Sequence, residues 1–315
     1  MKRITKQLII FGTVFFLGTS GFSLKNVKMS KKYSEGTDKY IKSFEDDSFE
    51  IAAHRGFSSL EVENTKEAIQ VAAEKDYIDY IEIDARLTKD GMIVLSHDDK
   101  IKSNSIGRIL VSNTYYDDLC DDSYKYTITN LNIRDIGCLL NKEAIIVSRR
   151  SHDLLNKNYN IICLRDGINL CDDKKIILDL KFKDNMKEFC DALDSELDGL
   201  DTSKIIFQCG DLNSLLYLKK RNPEYEYSSI ISKKKDLSYI DNFENVTLKK
   251  NLVNFDLVSS LIDDGKSVMI WTLNDTDDIN KIIIKLDYLY DDVIYITDYP
   301  DVMFIELSKT KKKKK

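Results

Sequence analysis

Proline and glycine are scarce in this sequence, 2 and 12 among 315 residues. That scarcity excludes collagen-like and Pro-rich linker chains, and a net charge of only −6 excludes a highly charged disordered one. Imidazole and indole are scarcer still, with three His and one Trp. Chemistry that needs a pair of imidazoles must therefore choose among His54, His97 and His152. No Cys-x-x-Cys pair occurs among Cys120, Cys138, Cys163, Cys171, Cys190 and Cys209, which disfavours a zinc site or a redox motif. In an oxidising compartment these six allow up to three disulfides, while Cys163, Cys190 and Cys209 also read as buried thiols beside apolar residues.

What is present suits a globular chain. With 43% of residues hydrophobic, a sizeable core can form in one large domain or two small ones. The charge is unevenly placed. Lys2, Arg3, Lys6 and the terminal run Lys311 to Lys315 hold eight of the 47 basic residues, which leaves 39 against 53 acidic ones. So acidic a body argues against nucleic acid as a partner, because phosphate backbones need a basic face. The terminal lysines read as a solvated tail, with attraction to anionic lipid as the lesser reading.

The first 24 residues carry a targeting pattern. Lys2, Arg3 and Lys6 precede an uncharged stretch from Gln7 to Leu24, most apolar from Leu8 to Leu17. A basic segment followed by a short apolar one is the layout of a signal peptide, and Gly18 to Gly21 offer small residues for cleavage. An uncleaved membrane anchor is the alternative, since eighteen uncharged residues lie at the lower edge of a bilayer span. Either reading places the protein at a membrane or outside the cytoplasm. Residues 25–48 read as a polar tether, 49–308 as the folded domain and 309–315 as a Lys-rich tail.

From Phe49 onward, short apolar runs alternate with helical patterns. Phe49 to Ala53 reads as a strand ending in His54-Arg55-Gly56, and Asn64 to Glu67 as a capping box with Asn64 as N-cap. Tyr80 to Asp84 reads as the next strand, Lys89-Asp90-Gly91 as a turn, and Met92 to Leu95 as a strand before Ser96-His97-Asp98. Residues 99–174 look like an irregular insertion. Beyond it the alternation resumes to Thr297. About eight strand candidates separated by helices favour a closed parallel (β/α)8 barrel of the TIM type over an open sheet.

Strands of such a barrel are buried on both faces and should read apolar throughout. Glu82 and Asp84 break that rule on one strand, two residues apart and so on one face. Asp179 and Lys181 break it again on a later strand. Buried charge is costly unless paired or metal-bound, so the group implies an ion-pair network or a divalent cation. All-oxygen ligands favour Ca²⁺ or Mg²⁺ over zinc. His152, among Arg149, Arg150 and Asp153, reads as a surface residue.

The order of these pieces resembles the glycerophosphodiester phosphodiesterase family. The likeness runs through His54-Arg55-Gly56, Glu63-Asn64-Thr65, Ile81-Glu82-Ile83-Asp84, Thr88-Lys89-Asp90-Gly91 and Val94-Leu95-Ser96-His97-Asp98. Downstream it includes Leu178-Asp179-Leu180-Lys181, Trp271-Thr272-Leu273-Asn274 and Ile296-Thr297-Asp298-Tyr299-Pro300. The resemblance implies a TIM barrel that hydrolyses glycerophosphodiesters to glycerol 3-phosphate and an alcohol with the help of a divalent cation. It implies that His54 and His97 form the acid–base pair and that Glu82, Asp84 and Asp179 hold the metal. Arg55 and Lys181 would neutralise the phosphate, and Trp271 would wall the substrate pocket or fill the core.

Two departures bear on these expectations. Val62 stands where the family has Pro, and Asp179 where it has Glu. The shorter Asp sets its oxygens back by about one C–C bond, ~1.5 Å. Calcium, with its adaptable shell, tolerates that better than Mg²⁺. Two other functions stay open on this reading. One is cleavage of an intact lipid or a teichoic-acid-like polymer, and the other is a catalytically weak barrel used for binding.

Overall fold

The computed structural model describes residues 41–44, 49–103, 107–120, 159–182 and 186–314. The chain forms two compact units, Met1–Glu45 and Asp46–Lys315. The described part of the first contains one 3-10 turn, Lys42–Phe44. The expected signal or anchor, His152 and Cys138 lie outside the described residues.

The second unit is the barrel. Eight parallel strands close on themselves: β1 (Glu50–Ala53), β2 (Tyr80–Leu87), β6 (Lys175–Leu180), β7 (Ile205–Cys209), β8 (Glu226–Ile231), β9 (Asn245–Lys249), β10 (Ser267–Trp271) and β11 (Ile294–Thr297). Closure comes from β1, which pairs in parallel with both β11 and β2. Three short strands stand outside the cylinder. Strand β3 (Ile93–Leu95) folds back antiparallel on β2, while β4 (Lys100–Ser103) and β5 (Gly107–Leu110) form a separate hairpin.

Helices α1 (Lys66–Ala73), α2 (Tyr116–Cys120), α3 (Leu164–Leu170), α4 (Met186–Leu197), α5 (Leu212–Arg221), α6 (Phe255–Asp263), α7 (Thr276–Leu286) and α8 (Pro300–Lys314) complete the described unit. Between β8 and β9 a 3-10 helix, Lys234–Asn242, stands where the other crossovers have an α-helix. Helix α8 starts at Pro300, whose fixed φ suits a first turn, and runs on into the expected tail as far as Lys314.

The strands are apolar because both faces are covered. Along β2, Ile81 and Ile83 point outward beneath the helices, and the alternate residues Tyr80, Glu82 and Asp84 point into the cylinder. An inner apolar plug of Ala52, Tyr80, Ile177, Ile206, Met269, Ile294 and Ile296 fills the lower interior. Above it lies a polar layer: the Thr247 hydroxyl bonds Gln208 Oε1 at 2.8 Å and Ser228 Oγ at 2.7 Å. These strands therefore change from apolar to polar toward their C-terminal ends, where TIM barrels carry their chemistry.

Two local expectations are corrected. The N-cap of α1 is Thr65, whose hydroxyl accepts from Ala68 N, and not Asn64. Asn64 takes a left-handed backbone (φ 58°), open to Asn at little cost, and turns its side chain inward. The region 99–174 also holds more order than its sequence suggests, with the β4–β5 hairpin, α2 and α3. Helix α3 is only seven residues long and has Gly167 in its middle, so its periodicity is faint. The glycine is there for close packing: a Cβ at 167 would stand 2.5 Å from Leu95 Cδ1. All five described cysteines are free thiols, with Cys171, Cys190 and Cys209 buried.

Candidate active site

The loop after β1 is wound tightly around the end of β2. Arg55 (φ 59°) and Gly56 (φ 77°) are both left-handed, a strained state for the arginine, and their N–H groups point at Glu82. Arg55 N donates to Glu82 Oε2 at 2.8 Å and Gly56 N to Glu82 O at 3.1 Å. The same turn places the Arg55 side chain between Glu63 Oε1, at 2.8 Å, and Asp84 Oδ2, 3.2 Å from Nε. Asn64 closes the arrangement, donating from Nδ2 to Asp84 Oδ2 at 2.7 Å and accepting the Asp84 N–H at 2.9 Å.

Sheet register supplies the third carboxylate. In the parallel pairing of β2 with β6, Asp84 lies directly beside Asp179. Glu82, Asp84 and Asp179 are all buried, and each offers an oxygen such that the three lie within 4.8 Å of one another. Lys181 bridges two of them, 2.6 Å from Asp179 Oδ2 and 2.9 Å from Asp84 Oδ1.

Arg55 and Lys181 are the cations paired directly with these carboxylates. The protonation of the three differs. Burial and the neighbouring Asp84 charge push the Glu82 carboxyl above its ordinary range, against the pull of His54. Burial also raises Asp179, with Lys181 opposing. For Asp84 burial works the same way, but Lys181 and Arg55 outweigh it and hold the carboxyl low. Three buried carboxylates with oxygens this close together fit a hard divalent cation.

Both expected histidines reach this place, and their surroundings differ. His54 Nδ1 is 2.6 Å from Asp298 Oδ1, and its Nε2 stands 3.9 Å from Glu82 Oε2. Burial works against the charged imidazole, yet Glu82 and the bond to Asp298 raise its pKa to about 9. His97 follows β3 and is more open, with its Nδ1 2.9 Å from Oδ1 of Asp98, a largely exposed neighbour.

One cavity of about 370 Å³ gathers the group: His54, His97, Lys181 and Trp271 line it together with the three carboxylates. Two further residues, Asp298 behind His54 and Arg86 in the cavity lining, had no role assigned from the sequence. Asp298 sits in a motif whose partner, His54, is 244 residues away, a contact no local pattern reveals. Arg86 continues the inward face Glu82, Asp84, Arg86 and donates from Nη2 to His97 O at 2.5 Å, so the alternation on β2 carried a signal for it. Three buried N–H groups of residues that line the cavity, Arg55 Nε, Arg86 Nε and Trp271 Nε1, have no hydrogen-bond acceptor among the described residues; Arg55 Nε lies near Asp84 without the alignment for one.

Known proteins resemble this chain. A glycerophosphodiester phosphodiesterase of Bacillus altitudinis is 39% identical over 106 residues, 34% of this chain and 43% of that protein. A mouse lysophospholipase D is 42% identical over 55 residues, 18% of this chain and 16% of that one. The chain therefore spans less than half the length of these curated relatives. Among solved structures, an Oleispira antarctica phosphodiesterase holding the product sn-glycerol-3-phosphate has a TM-score of 0.61 at 19% identity, covering 82% of this chain and 96% of that one. That likeness establishes the barrel fold. Residues 54–302 match the glycerophosphoryl diester phosphodiesterase family, and the chain belongs to that family.

Proposed function

We propose that this barrel hydrolyses glycerophosphodiesters to glycerol 3-phosphate and an alcohol. One observation carries the reading: two histidines, three carboxylates and a lysine, drawn from separate strand ends, line a single cavity. The membership of residues 54–302 in the family supports the reaction class. A volume of about 370 Å³ lies in the range of small-molecule sites, which suits a deacylated phospholipid headgroup.

Glu82, Asp84 and Asp179 would hold a divalent cation, which supplies positive charge for the phosphoryl oxygens when bound. The set-back Asp179 favours Ca²⁺ over Mg²⁺ in that role. Arg55 and Lys181 neutralise the same oxygens as negative charge builds on them. One of the imidazoles of His54 and His97 takes the proton of the attacking hydroxyl as its oxygen bonds to phosphorus. The bond from phosphorus to the departing alcohol oxygen breaks, and the other imidazole protonates that oxygen. The hydroxyl belongs to water or to the neighbouring glycerol carbon, the latter giving a cyclic phosphate that water then opens. Trp271 walls the pocket.

The test is hydrolysis of glycerophosphocholine with chelator, and then with Ca²⁺ or Mg²⁺ restored. Release of glycerol phosphate that stops with chelator and returns with metal is expected. No release under any metal overturns the proposal.

The similarity to a lysophospholipase D favours a second reading, in which the substrate keeps an acyl chain. Lysophosphatidylcholine assayed beside glycerophosphocholine separates the two. The basic and then apolar N-terminal sequence supports a membrane-held or secreted enzyme, which fractionation of cells expressing the full chain tests.

A further inference from the structure

We infer that Asp298 is the positioning residue of His54: its carboxylate claims the imidazole Nδ1–H and so leaves Nε2 facing the carboxylate cluster of the cavity. His54 N donates to Thr297 O at 2.9 Å, continuing the β1–β11 ladder one residue past the end of β1. This fixes the two loops side by side. The next residue along, Asp298, then reaches His54 with its side chain, and Oδ1 lies 2.6 Å from Nδ1.

Asp298 is itself held from several directions. Ser58 Oγ donates to the same Oδ1 at 3.0 Å, and Asn274 Nδ2 donates to Oδ2 at 2.6 Å. Asn274 Oδ1 accepts the Asp298 N–H at 2.9 Å, so one amide side chain grips both the backbone and the carboxylate of its partner. With both oxygens engaged, the carboxylate has one orientation. An ionised carboxylate only accepts hydrogen bonds, so the ring nitrogen facing it must be the one that carries hydrogen. In a neutral imidazole the other nitrogen then presents its lone pair, and here that nitrogen is the one 3.9 Å from Glu82 Oε2.

Among the described residues no distant carboxylate is hydrogen-bonded to His97. Its Nδ1 partner Asp98 is the adjacent residue, with a side chain 73% exposed, and water competes for that bond. The two histidines are thus set differently, one locked by a motif from the far end of the chain and one loosely held.

The kinetic part of this inference rests on the proposed hydrolysis, and the spectroscopic part does not. With only three histidines in the chain, ring-¹⁵N labelling gives few signals, and loss of one set in His54→Gln assigns His54. In the metal-loaded protein, a downfield Nδ1–H proton of His54 is expected. In Asp298→Asn, which keeps the shape of the side chain, that proton should vanish or move upfield while the signals of the other two rings stay in place. With glycerophosphocholine, the same variant should lose at least about 100-fold in kcat with KM changed less than about threefold, and Asp298→Glu should restore part of the loss. Asn274→Ala, which leaves His54 and Asp298 both present, should show the same changes in weaker form and serves if Asp298→Asn does not fold.

An Nδ1–H signal unchanged in Asp298→Asn overturns the inference, whatever happens to turnover. So does an altered signal with kcat within twofold of the parent. Should the parent protein cleave no glycerophosphodiester, the proposed function fails while the proton signal still decides the hydrogen bond.

Discussion

Asn64 is clasped to Asp84 from both sides, its Nδ2 2.7 Å from the carboxylate and its Oδ1 2.9 Å from the same residue's backbone N. The clasp aims one carboxylate of the cluster and explains the left-handed backbone of Asn64. Its removal by Asn64→Ala should weaken Ca²⁺ binding about 10- to 100-fold, the usual cost of losing a group that orients a ligand. Calorimetric titration measures this. Unchanged affinity would separate Asn64, and with it the aim of Asp84, from metal binding.

Asp179 offers a complementary test by gain. The register places it beside Asp84, but its shorter side chain stays close to Lys181, 2.6 Å away. Asp179→Glu adds the missing methylene and should carry the oxygens farther into the cluster. Tighter binding of Mg²⁺, the ion with the stricter geometry, is expected to exceed the gain for Ca²⁺. Titrations indistinguishable from the parent for both ions would remove Asp179 from the ligand set.

Much of this site was legible in the sequence because charge stands out against an apolar strand. Glu82, Asp84, Asp179 and Lys181 interrupt runs that should be buried, and the two-residue period of a strand puts each pair on one face. The strand count and the alternation with helices gave the barrel. The supporting contacts were less legible, since they depend on pairing between distant segments. Asp298 meets His54 only after β11 closes against β1, and Arg86 meets the His97 carbonyl only after β3 folds back on β2. Asn64 was misread for a different reason. Its residue type suits an N-cap as well as a left-handed turn, and the demand of Asp84 decides between them while Thr65 takes the cap.

Gly56 is the residue on which the loop geometry depends. At φ 77° it holds a conformation that side-chain-bearing residues adopt at a cost, and an added Cβ would lie 2.6 Å from the backbone carbon of Ala68. Backbone in α1 cannot yield as a flexible side chain would. Gly56→Ala should therefore lose at least about 2 kcal/mol of stability from strain and overpacking together, read from urea unfolding. A loss under about 0.5 kcal/mol would show that the turn is more pliable than its geometry implies. Gly91→Ala is a useful control: its φ is 84°, but no atom lies within 4 Å of the added Cβ, so only the conformational part of the cost applies.

His97 and Arg86 form a pair in which one is expected to act through the other. Arg86 Nη2 donates to the His97 carbonyl at 2.5 Å and so ties the loop after β3 to the inward face of β2. Removing the imidazole with His97→Ala should lower kcat for glycerophosphocholine at least about 100-fold, with the unfolding midpoint unchanged. Arg86→Gln keeps a donor on a shorter arm and loses the charge, and a fall of about tenfold is expected. If Arg86 works by placing His97, the double variant should be no slower than His97→Ala alone, since residues acting as a unit are not additive. Full multiplication of the two losses would instead assign Arg86 its own contact with substrate from its place in the cavity lining.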